Sequence, residues 1–187
     1  ILTQLSINIV DDVTGNKLPC KVRLLNSFEE FLSPWDSIKK IGPGLEFFYS
    51  QGDFTIDVTS GRLKVLIERG TEYEPLHLDL MIPSSGIVQK EIRLKKWTYL
   101  GDLGWYPGNT HIHYDQNETR PDDRLFLDPR VENLRMTAVS ILHRWNLDYA
   151  TNKYSPGFLT DFSTNHHYVE CGEESRHDAI SGPGNLG

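Results

Sequence analysis

The chain has 187 residues, and its 19 basic and 26 acidic side chains give it a formal net charge of −7. This balance, with no run of basic residues, argues against nucleic-acid binding, because phosphate neutralisation needs clustered Lys and Arg. No stretch approaches the roughly 20 consecutive apolar residues that a membrane span requires. The length predicts one large or two small domains, and the two cysteines cannot form a disulfide framework.

The first 97 residues alternate apolar and polar side chains in short segments separated by turn residues. A period of two places the apolar side chains on one face of a β-strand. Six such strands are predicted, at Leu5–Ile9, Val22–Leu24, Phe54–Val58, Leu63–Ile67, Leu76–Leu80 and Ile92–Leu94. Six short strands with one apolar face each predict an antiparallel β-sandwich of about 100 residues. The stretch from Asn26 to Leu45 breaks the spacing and predicts a long loop with a short helix around Phe28–Leu32.

The turns of this half carry a family likeness. They include Thr14-Gly15, Leu18-Pro19, Gly52-Asp53-Phe54, the hairpin Val58–Leu63 and Glu68-Arg69-Gly70. Through these segments, residues 3–94 resemble the prealbumin-like sandwich of carboxypeptidase regulatory-like modules. The resemblance implies a spacer, or a module that binds another domain or a carbohydrate. We therefore treat residues 1–97 as one predicted domain and residues 98–187 as a second.

The second half differs in its chemistry. Residues 98–187 carry 7 basic and 13 acidic side chains, against 12 and 13 in residues 1–97, and hold six of the seven histidines. Two of these stand in the segment Gly108-Asn109-Thr110-His111-Ile112-His113. In an extended backbone residues i and i+2 point to the same side, so His111 and His113 project two imidazoles close enough to share one metal ion. The alternative is a pair of surface histidines on an edge strand.

Further along, the pattern predicts helix and strand in alternation. A helix is expected to start near Pro129, because apolar residues recur at helical spacing at Val131, Leu134 and Ala138. The apolar run Ala138–Leu142 predicts a buried strand that ends in His143, and Tyr168-Val169 predicts another strand. A buried strand with His at its carboxyl end is typical of an α/β-barrel site.

A second family likeness begins with the segment Gly104-Trp105-Tyr106-Pro107-Gly108-Asn109-Thr110-His111-Ile112-His113. It resembles the Gly-Trp-Tyr-x-Gly-Asp-x-His-x-His signature of the carbaryl-hydrolase-like branch of the polymerase-and-histidinol-phosphatase (PHP) superfamily. The family's Gly-x-Glu motif is similar to Gly172-Glu173-Glu174, with Glu174 as the counterpart of the metal ligand and Glu173 as the alternative in register. The Asp-His motif falls at Leu142-His143, where Leu replaces the Asp. The likeness covers nearly all of residues 98–178.

This resemblance implies a distorted (β/α)7 barrel with divalent transition metal ions (Zn, Mn or Fe) at the carboxyl ends of its strands. The metal ligands that it implies are His111, His113 and Glu174. His177, three residues after Glu174, is expected to reach the same site across a turn. Asp115, two residues past His113, is expected to orient an imidazole. His143 is a candidate catalytic residue or metal ligand, with a core or rim histidine as the alternative. Arg176 is a candidate for binding a substrate oxyanion, with an ion pair to Asp178 or another carboxylate as the alternative. Metal-activated water would then hydrolyse an ester, an amide or carbamate, or a phosphoester of a small-molecule substrate.

The length of the second half opens an alternative from a different class. Residues 98–187 number only 90, whereas a complete barrel of this family needs ~200 or more. The chain also opens at Ile1 rather than Met, which predicts a processed product or a fragment. The short second half predicts the N-terminal piece of a longer enzyme, with a missing C-terminal segment. The alternative is a non-catalytic, self-assembling extracellular protein, a homo-oligomer built from a β-sandwich and a degenerate PHP-like segment. A periplasmic or extracellular location is the favoured expectation.

Overall fold

The computed structural model describes residues 2–143 and 148–174 of the chain. The chain divides into two compact units. The first contains the described residues up to Trp105 together with Arg130–Asn133, and the second contains Tyr106–Pro129 and the described residues from Leu134 onward. Within the described ranges, no helix is both long and apolar enough to cross a bilayer.

The first unit is a β-sandwich. Its strands in chain order are β1 (Leu2–Asp11), β2 (Cys20–Leu25), β3 (Phe31–Leu32), β4 (Phe48–Ser50), β5 (Asp53–Thr59), β6 (Gly61–Glu68), β7 (Leu76–Ile82) and β8 (Gly86–Leu94). One sheet has the order β5-β1-β8, and the other has the order β3-β2-β6-β7 with β4 also paired to β2. A 3-10 helix at Leu100–Leu103 follows the last strand.

The core of the sandwich is made by alternate residues of its strands. In β1 the side chains of Leu5, Ile7 and Ile9 are at most 2% exposed, while the residues between them are only half-buried. Phe48 of β4 is fully buried and meets the ring of Phe54 edge-on, with 5.0 Å between centroids. Full burial of one such side chain contributes about 1.5–3 kcal/mol. All six strands predicted from the alternation are present, and the predicted β-sandwich is confirmed.

The pairing of β1 differs from the prediction. β1 is antiparallel to β5 but parallel to β8, with partners running from Thr3↔Gly86 to Asp11↔Leu94. The sandwich is therefore not purely antiparallel. Side chains alternate with the same period in both kinds of pairing, so the sequence pattern cannot distinguish them.

The helix predicted around Phe28–Leu32 is wrong. The side-chain oxygen of Asn26 accepts hydrogen bonds from the backbone N–H groups of Phe28 and Glu30, at 2.9 and 3.0 Å. Such bonds favour a turn over a helix. The chain reverses there, and Phe31–Leu32 returns as β3 to pair with the end of β2.

After the sandwich the chain forms a smaller, mixed sheet and one α-helix. The elements are β9 (Gly108–Ile112), α1 (Pro121–Val131), β10 (Met136–Ile141), β11 (Gly157–Phe158) and β12 (Tyr168–Glu173), with 3-10 helices at Ala150–Lys153 and Thr160–Phe162. The sheet has the order β11-β12-β10-β9. β9, β10 and β12 are parallel, and β11 pairs with β12 in the antiparallel sense.

The position of α1 corrects the prediction of a helix start near Pro129. The helix begins at Pro121, whose fixed φ suits the first helical position, and acidic side chains occupy its first turn. Pro129 lies inside its last turn instead. Asn133 then takes a left-handed φ of 52°, a conformation that ends helices. Leu134 and Ala138, which shared the predicted spacing, lie beyond the helix, Ala138 within β10.

The core of this second unit packs α1 on the sheet. Leu125 of α1 is fully buried with Val139 of β10 and Val169 of β12. Two buried tyrosines pair with carboxylates of α1: the Tyr114 hydroxyl donates to Asp128 at 2.6 Å, and the Tyr154 hydroxyl donates to Asp122 at 2.9 Å. Burial, and then the neighbouring Asp128 carboxylate, raise the pKa of Tyr114. These contacts fix the backbone directly after β9.

Candidate metal centre

Three side chains that ligate metals in other proteins meet at one edge of the second unit's sheet. His111 lies in β9, His113 is the first residue after β9, and Glu174 is the first residue after β12. Because β9, β10 and β12 are parallel, their carboxyl ends meet at the same edge, which is where α/β proteins place their sites. We call His111, His113 and Glu174 the edge cluster.

The donor atoms of the edge cluster form a small triangle. His111 Nε2 and His113 Nε2 are 2.6 Å apart, and Glu174 Oε2 lies 2.7 Å from His113 Nε2 and 3.0 Å from His111 Nε2. The side chains of His113 and Glu174 are 16% and 12% exposed, whereas that of His111 is 54% exposed. One side of the cluster therefore faces solvent and the other is walled by protein.

The backbone of neighbouring strands orients these side chains. His113 Nδ1 lies 3.2 Å from the Ser140 carbonyl oxygen of β10. A carbonyl oxygen only accepts, so Nδ1–H donates to it, and in the neutral ring Nε2 keeps its lone pair for the cluster. The Glu174 N–H donates to the Ile141 carbonyl at 2.9 Å, and the His111 N–H donates to Asn109 Oδ1 at 3.0 Å. Each member is thus held at a defined place on the sheet edge.

The donor set suits a divalent transition metal. Two imidazole nitrogens and one carboxylate oxygen are a common catalytic Zn²⁺ set, which leaves a fourth position for water or substrate. The three atoms all lie within 4.8 Å of one another. Their separations are shorter than the roughly 3.3 Å that separates the ligand atoms of a tetrahedral ion with bonds of ~2.0–2.1 Å. Loading would therefore move the donor atoms apart by a few tenths of an ångström.

The other predicted site residues have different fates. His143 follows β10 by two residues at the same edge, is exposed, and is not one of the three clustered donors. Glu174, rather than its alternative Glu173, contacts the imidazoles. Arg176 and His177 lie outside the described residues, so their predicted roles in oxyanion and metal binding stay predictions.

Asp115 does not orient an imidazole as predicted. Its Oδ1 accepts hydrogen bonds from the backbone N–H and the side-chain amide of Asn117, at 2.9 and 2.7 Å. The Ser140 carbonyl takes the expected place beside His113 instead. A short Asx turn satisfies the carboxylate locally, which the spacing of two residues from His113 did not reveal.

Sequence reasoning missed one side chain beside the cluster. The ring of Tyr149 packs against His113 with 5.1 Å between centroids and 39° between planes. Tyr149 stands in a stretch of polar and aromatic residues before the Ala150–Lys153 3-10 helix, and no motif marks it.

Comparisons with known proteins do not show a family for this chain. No family model and no curated protein matches it. Among solved structures it is similar to the Bacillus anthracis TIE protein, at 15% identity over 62% of this chain and 23% of that one, with a TM-score of 0.38. It is also similar to the group B streptococcus pilus 2b backbone protein, at 19% identity over 52% of this chain and 42% of that one, with a TM-score of 0.38. This chain thus spans less than half the length of either.

Proposed function

We propose that the second unit is the metal-binding part of a metal-dependent hydrolase that acts on an ester, an amide or carbamate, or a phosphoester. The observation that carries the proposal is the convergence of His111, His113 and Glu174, whose donor atoms lie 2.6–3.0 Å apart. Because Nδ1 of His113 donates to a carbonyl, its Nε2 is left as an acceptor. Acceptors that face one another at this range suit a shared cation.

The fold that we propose for this part is the opening of a PHP-like barrel. In its favour, β9, β10 and β12 are parallel neighbours in chain order, and α1 connects β9 to β10. Such strand–helix–strand units are the repeat of α/β barrels. Against a regular barrel, β11 occupies two positions on the free edge of β12 in the antiparallel sense. A further parallel strand would have to pair elsewhere along β12 or displace β11.

The chemistry then divides between the ion and the chain. A bound divalent transition metal polarises a substrate oxygen and lowers the pKa of water toward ~7. Glu174 supplies the one negative charge of the edge cluster, so the loaded cluster keeps a net positive charge that attracts an oxyanion. The exposed face of His111 leaves an approach from solvent. His143, Arg176 and His177 remain the proposed further groups.

The experiment that tests the proposal measures hydrolysis by the metal-loaded chain. The purified chain is loaded with Zn²⁺ or Mn²⁺ and assayed against nitrophenyl ester, carbamate and phosphoester substrates, beside Glu174→Gln and the matched control Glu173→Gln. We expect activity that requires metal, that Glu174→Gln abolishes and that Glu173→Gln retains. A chain that binds metal and hydrolyses none of the three classes, or an unaffected Glu174→Gln variant, contradicts the proposal.

A non-catalytic, self-assembling role is the second candidate, and surface aromatics of the first unit favour it. Trp35 is 96% exposed and Phe28 is 80% exposed, both in the segment between β2 and β4. Exposed apolar side chains that form a contiguous patch mark interaction surfaces, and in this candidate function these two side chains contribute to such a patch. Analytical ultracentrifugation of the chain distinguishes the two candidates. A metal-free chain that forms a defined oligomer, which the Trp35→Ser substitution dissociates into monomers, supports assembly in place of catalysis.

A further inference from the structure

Tyr149 is the one aromatic side chain that packs on the edge cluster, within the described residues. Its ring lies 5.1 Å from the His113 ring, centroid to centroid, and the residue is half-buried. The imidazole uses Nδ1 for the Ser140 carbonyl and Nε2 for the cluster. Tyr149 therefore touches the ring of His113 without competing for either nitrogen.

Hydrogen bonds of the peptide unit that follows Tyr149 hold its backbone in place. The Tyr149 carbonyl accepts from the Asn152 N–H at 2.9 Å, and the next residue, Ala150, donates its N–H to the Tyr114 carbonyl at 2.9 Å. The Asn152 side chain in turn accepts from the N–H of Leu142 and donates to its carbonyl, both at 2.9 Å. Since Leu142 directly follows β10, Tyr149 is tied to the sheet edge that carries the cluster.

The hydroxyl of Tyr149 contrasts with those of the buried tyrosines of the same unit. Tyr114 and Tyr154 each donate to a carboxylate of α1. Among the described residues, the ring contact with His113 is the only hydrogen-bonding, ionic or ring interaction of the Tyr149 side chain. A buried phenol usually finds a hydrogen-bond partner, whereas the hydroxyl of half-buried Tyr149 has none among the described residues. A donor that the chain leaves unused, next to a candidate metal centre, is suited to a ligand.

We propose that the Tyr149 hydroxyl binds an anionic oxygen of a ligand held at the edge cluster. This inference rests on the proposed function, because it requires a metal-loaded cluster. With two neutral imidazoles, one carboxylate and a divalent ion, the loaded cluster carries one net positive charge and attracts anions. A phenol is a neutral donor, so it adds a hydrogen bond to the anion without repelling the cation. Phosphate and other tetrahedral oxyanions are the chemical class that the pair would take.

The test uses Co²⁺ as a visible probe of the cluster and inorganic phosphate as the anion. Co²⁺ is titrated into the full chain, into Tyr149→Phe and into the matched control Tyr168→Phe, whose ring lies at the start of β12 beside Arg135. Phosphate is then titrated into each loaded protein. Because Phe keeps the ring against His113, we expect equal Co²⁺ affinity in all three. The phosphate dissociation constant should rise about tenfold or more in Tyr149→Phe alone, as expected for loss of a hydrogen bond to a charged group.

The outcomes separate the two proposals. Phosphate binding by Tyr149→Phe equal to that of the unaltered chain contradicts the role of the hydroxyl while leaving the metal centre standing. Absence of phosphate binding by the loaded, unaltered chain, or a Co²⁺ affinity that falls in Tyr149→Phe, also contradicts it. A chain that takes up no Co²⁺ overturns the proposed metal centre itself, and the inference about Tyr149 falls with it.

Discussion

The polar clusters of the two units differ in whether their donors and acceptors pair with one another. In the sandwich, the buried Tyr73 hydroxyl donates to Asp11 Oδ2 at 2.9 Å, and Asp11 Oδ1 accepts from the N–H groups of Val13 and Thr14, at 3.1 and 2.8 Å. Every bond there joins a donor to an acceptor inside the chain. In the second unit, two acceptors, His113 Nε2 and Glu174 Oε2, face each other at 2.7 Å. His111 Nε2, which donates or accepts according to the tautomer of its ring, lies 2.6 and 3.0 Å from them.

This difference distinguishes a structural cluster from a binding one. Buried polar groups that satisfy one another stabilise a fold without any ligand. Acceptors that face one another gain their stability from a shared proton or cation supplied from outside the chain. The same residue types, carboxylate beside an aromatic or an imidazole, therefore serve different purposes in the two units, and each purpose has its own measurable consequence.

The largest expected effect is confined to the sandwich. Phe48→Ala removes a fully buried ring and its edge contact with Phe54, so we expect the free energy of unfolding of the first unit to fall by about 4 kcal/mol. Denaturant unfolding followed by circular dichroism measures it, with Phe48→Leu as a milder variant that stays folded. Equal metal affinity in Phe48→Leu and the unaltered chain is expected. A change in that affinity would show that metal binding by the second unit depends on the packing of the first.

Metal should stabilise the second unit only. A ligand at a hundred times its dissociation constant adds about 2.7 kcal/mol to the stability of the state that binds it. We expect Zn²⁺ to raise the unfolding transition of the second unit, and Glu174→Gln to remove that gain. Glu173→Gln, which changes the adjacent exposed carboxylate, serves as the control. Equal Zn²⁺ stabilisation of both units would show that the ion binds elsewhere.

A smaller effect is expected in the closed cluster of the sandwich. Tyr73→Phe removes one buried donor but leaves Asp11 its two backbone donors, so the first unit should lose about 1 kcal/mol. The buried phenol also titrates late, because burial and then the hydrogen bond to Asp11 raise the pKa of Tyr73 to about 12. Urea unfolding of the variant gives the loss, and ultraviolet titration gives the pKa. A phenol that ionises near 10 would contradict the paired cluster.

The sequence and the structure agree where local chemistry decides. Period-two alternation located six strands of the sandwich, and the i, i+2 spacing of His111 and His113 put both imidazoles on one side of β9. The sequence pattern did not predict contacts between distant parts of the chain. The direction of β8 against β1 and the approach of Tyr149 to His113 depend on residues far apart in the chain. The Asx turn that occupies Asp115 is local, but the prediction for Asp115 rested only on its spacing from His113. The helix was misplaced because the spacing after Pro129 matched a helix, while the first-turn signals stood at Pro121.

The smallest expected effect is a dependence on acid in both units. Burial alone would raise the pKa of both Asp11 and Glu118, but hydrogen bonds to each carboxylate outweigh burial and lower the pKa below its ordinary value. Thr14 and Tyr73 donate to Asp11. Arg120 and Arg124 donate to Glu118. A carboxyl group with a lowered pKa in the folded state stabilises the fold at pH above its unfolded pKa. That contribution disappears as the pH falls through the folded pKa.

Both units should therefore lose stability as the pH falls below about 5. Thermal unfolding between pH 7 and pH 2 measures the slope. Asp11→Asn is expected to flatten it for the first unit and to leave that of the second unit unchanged. An unchanged slope for the first unit in Asp11→Asn would show that other carboxylates govern its acid sensitivity.

Calorimetric titration of Zn²⁺ into the purified chain tests the central claim most directly, beside His113→Ala and the distant control His77→Ala. The account predicts that the chain binds about one equivalent of Zn²⁺ and that His77→Ala binds it with unchanged affinity. In His113→Ala the affinity should fall at least a hundredfold, which is more than the tenfold to hundredfold cost of losing an outer-shell partner. Failure of the unaltered chain to bind Zn²⁺, or binding that survives His113→Ala, would contradict the account.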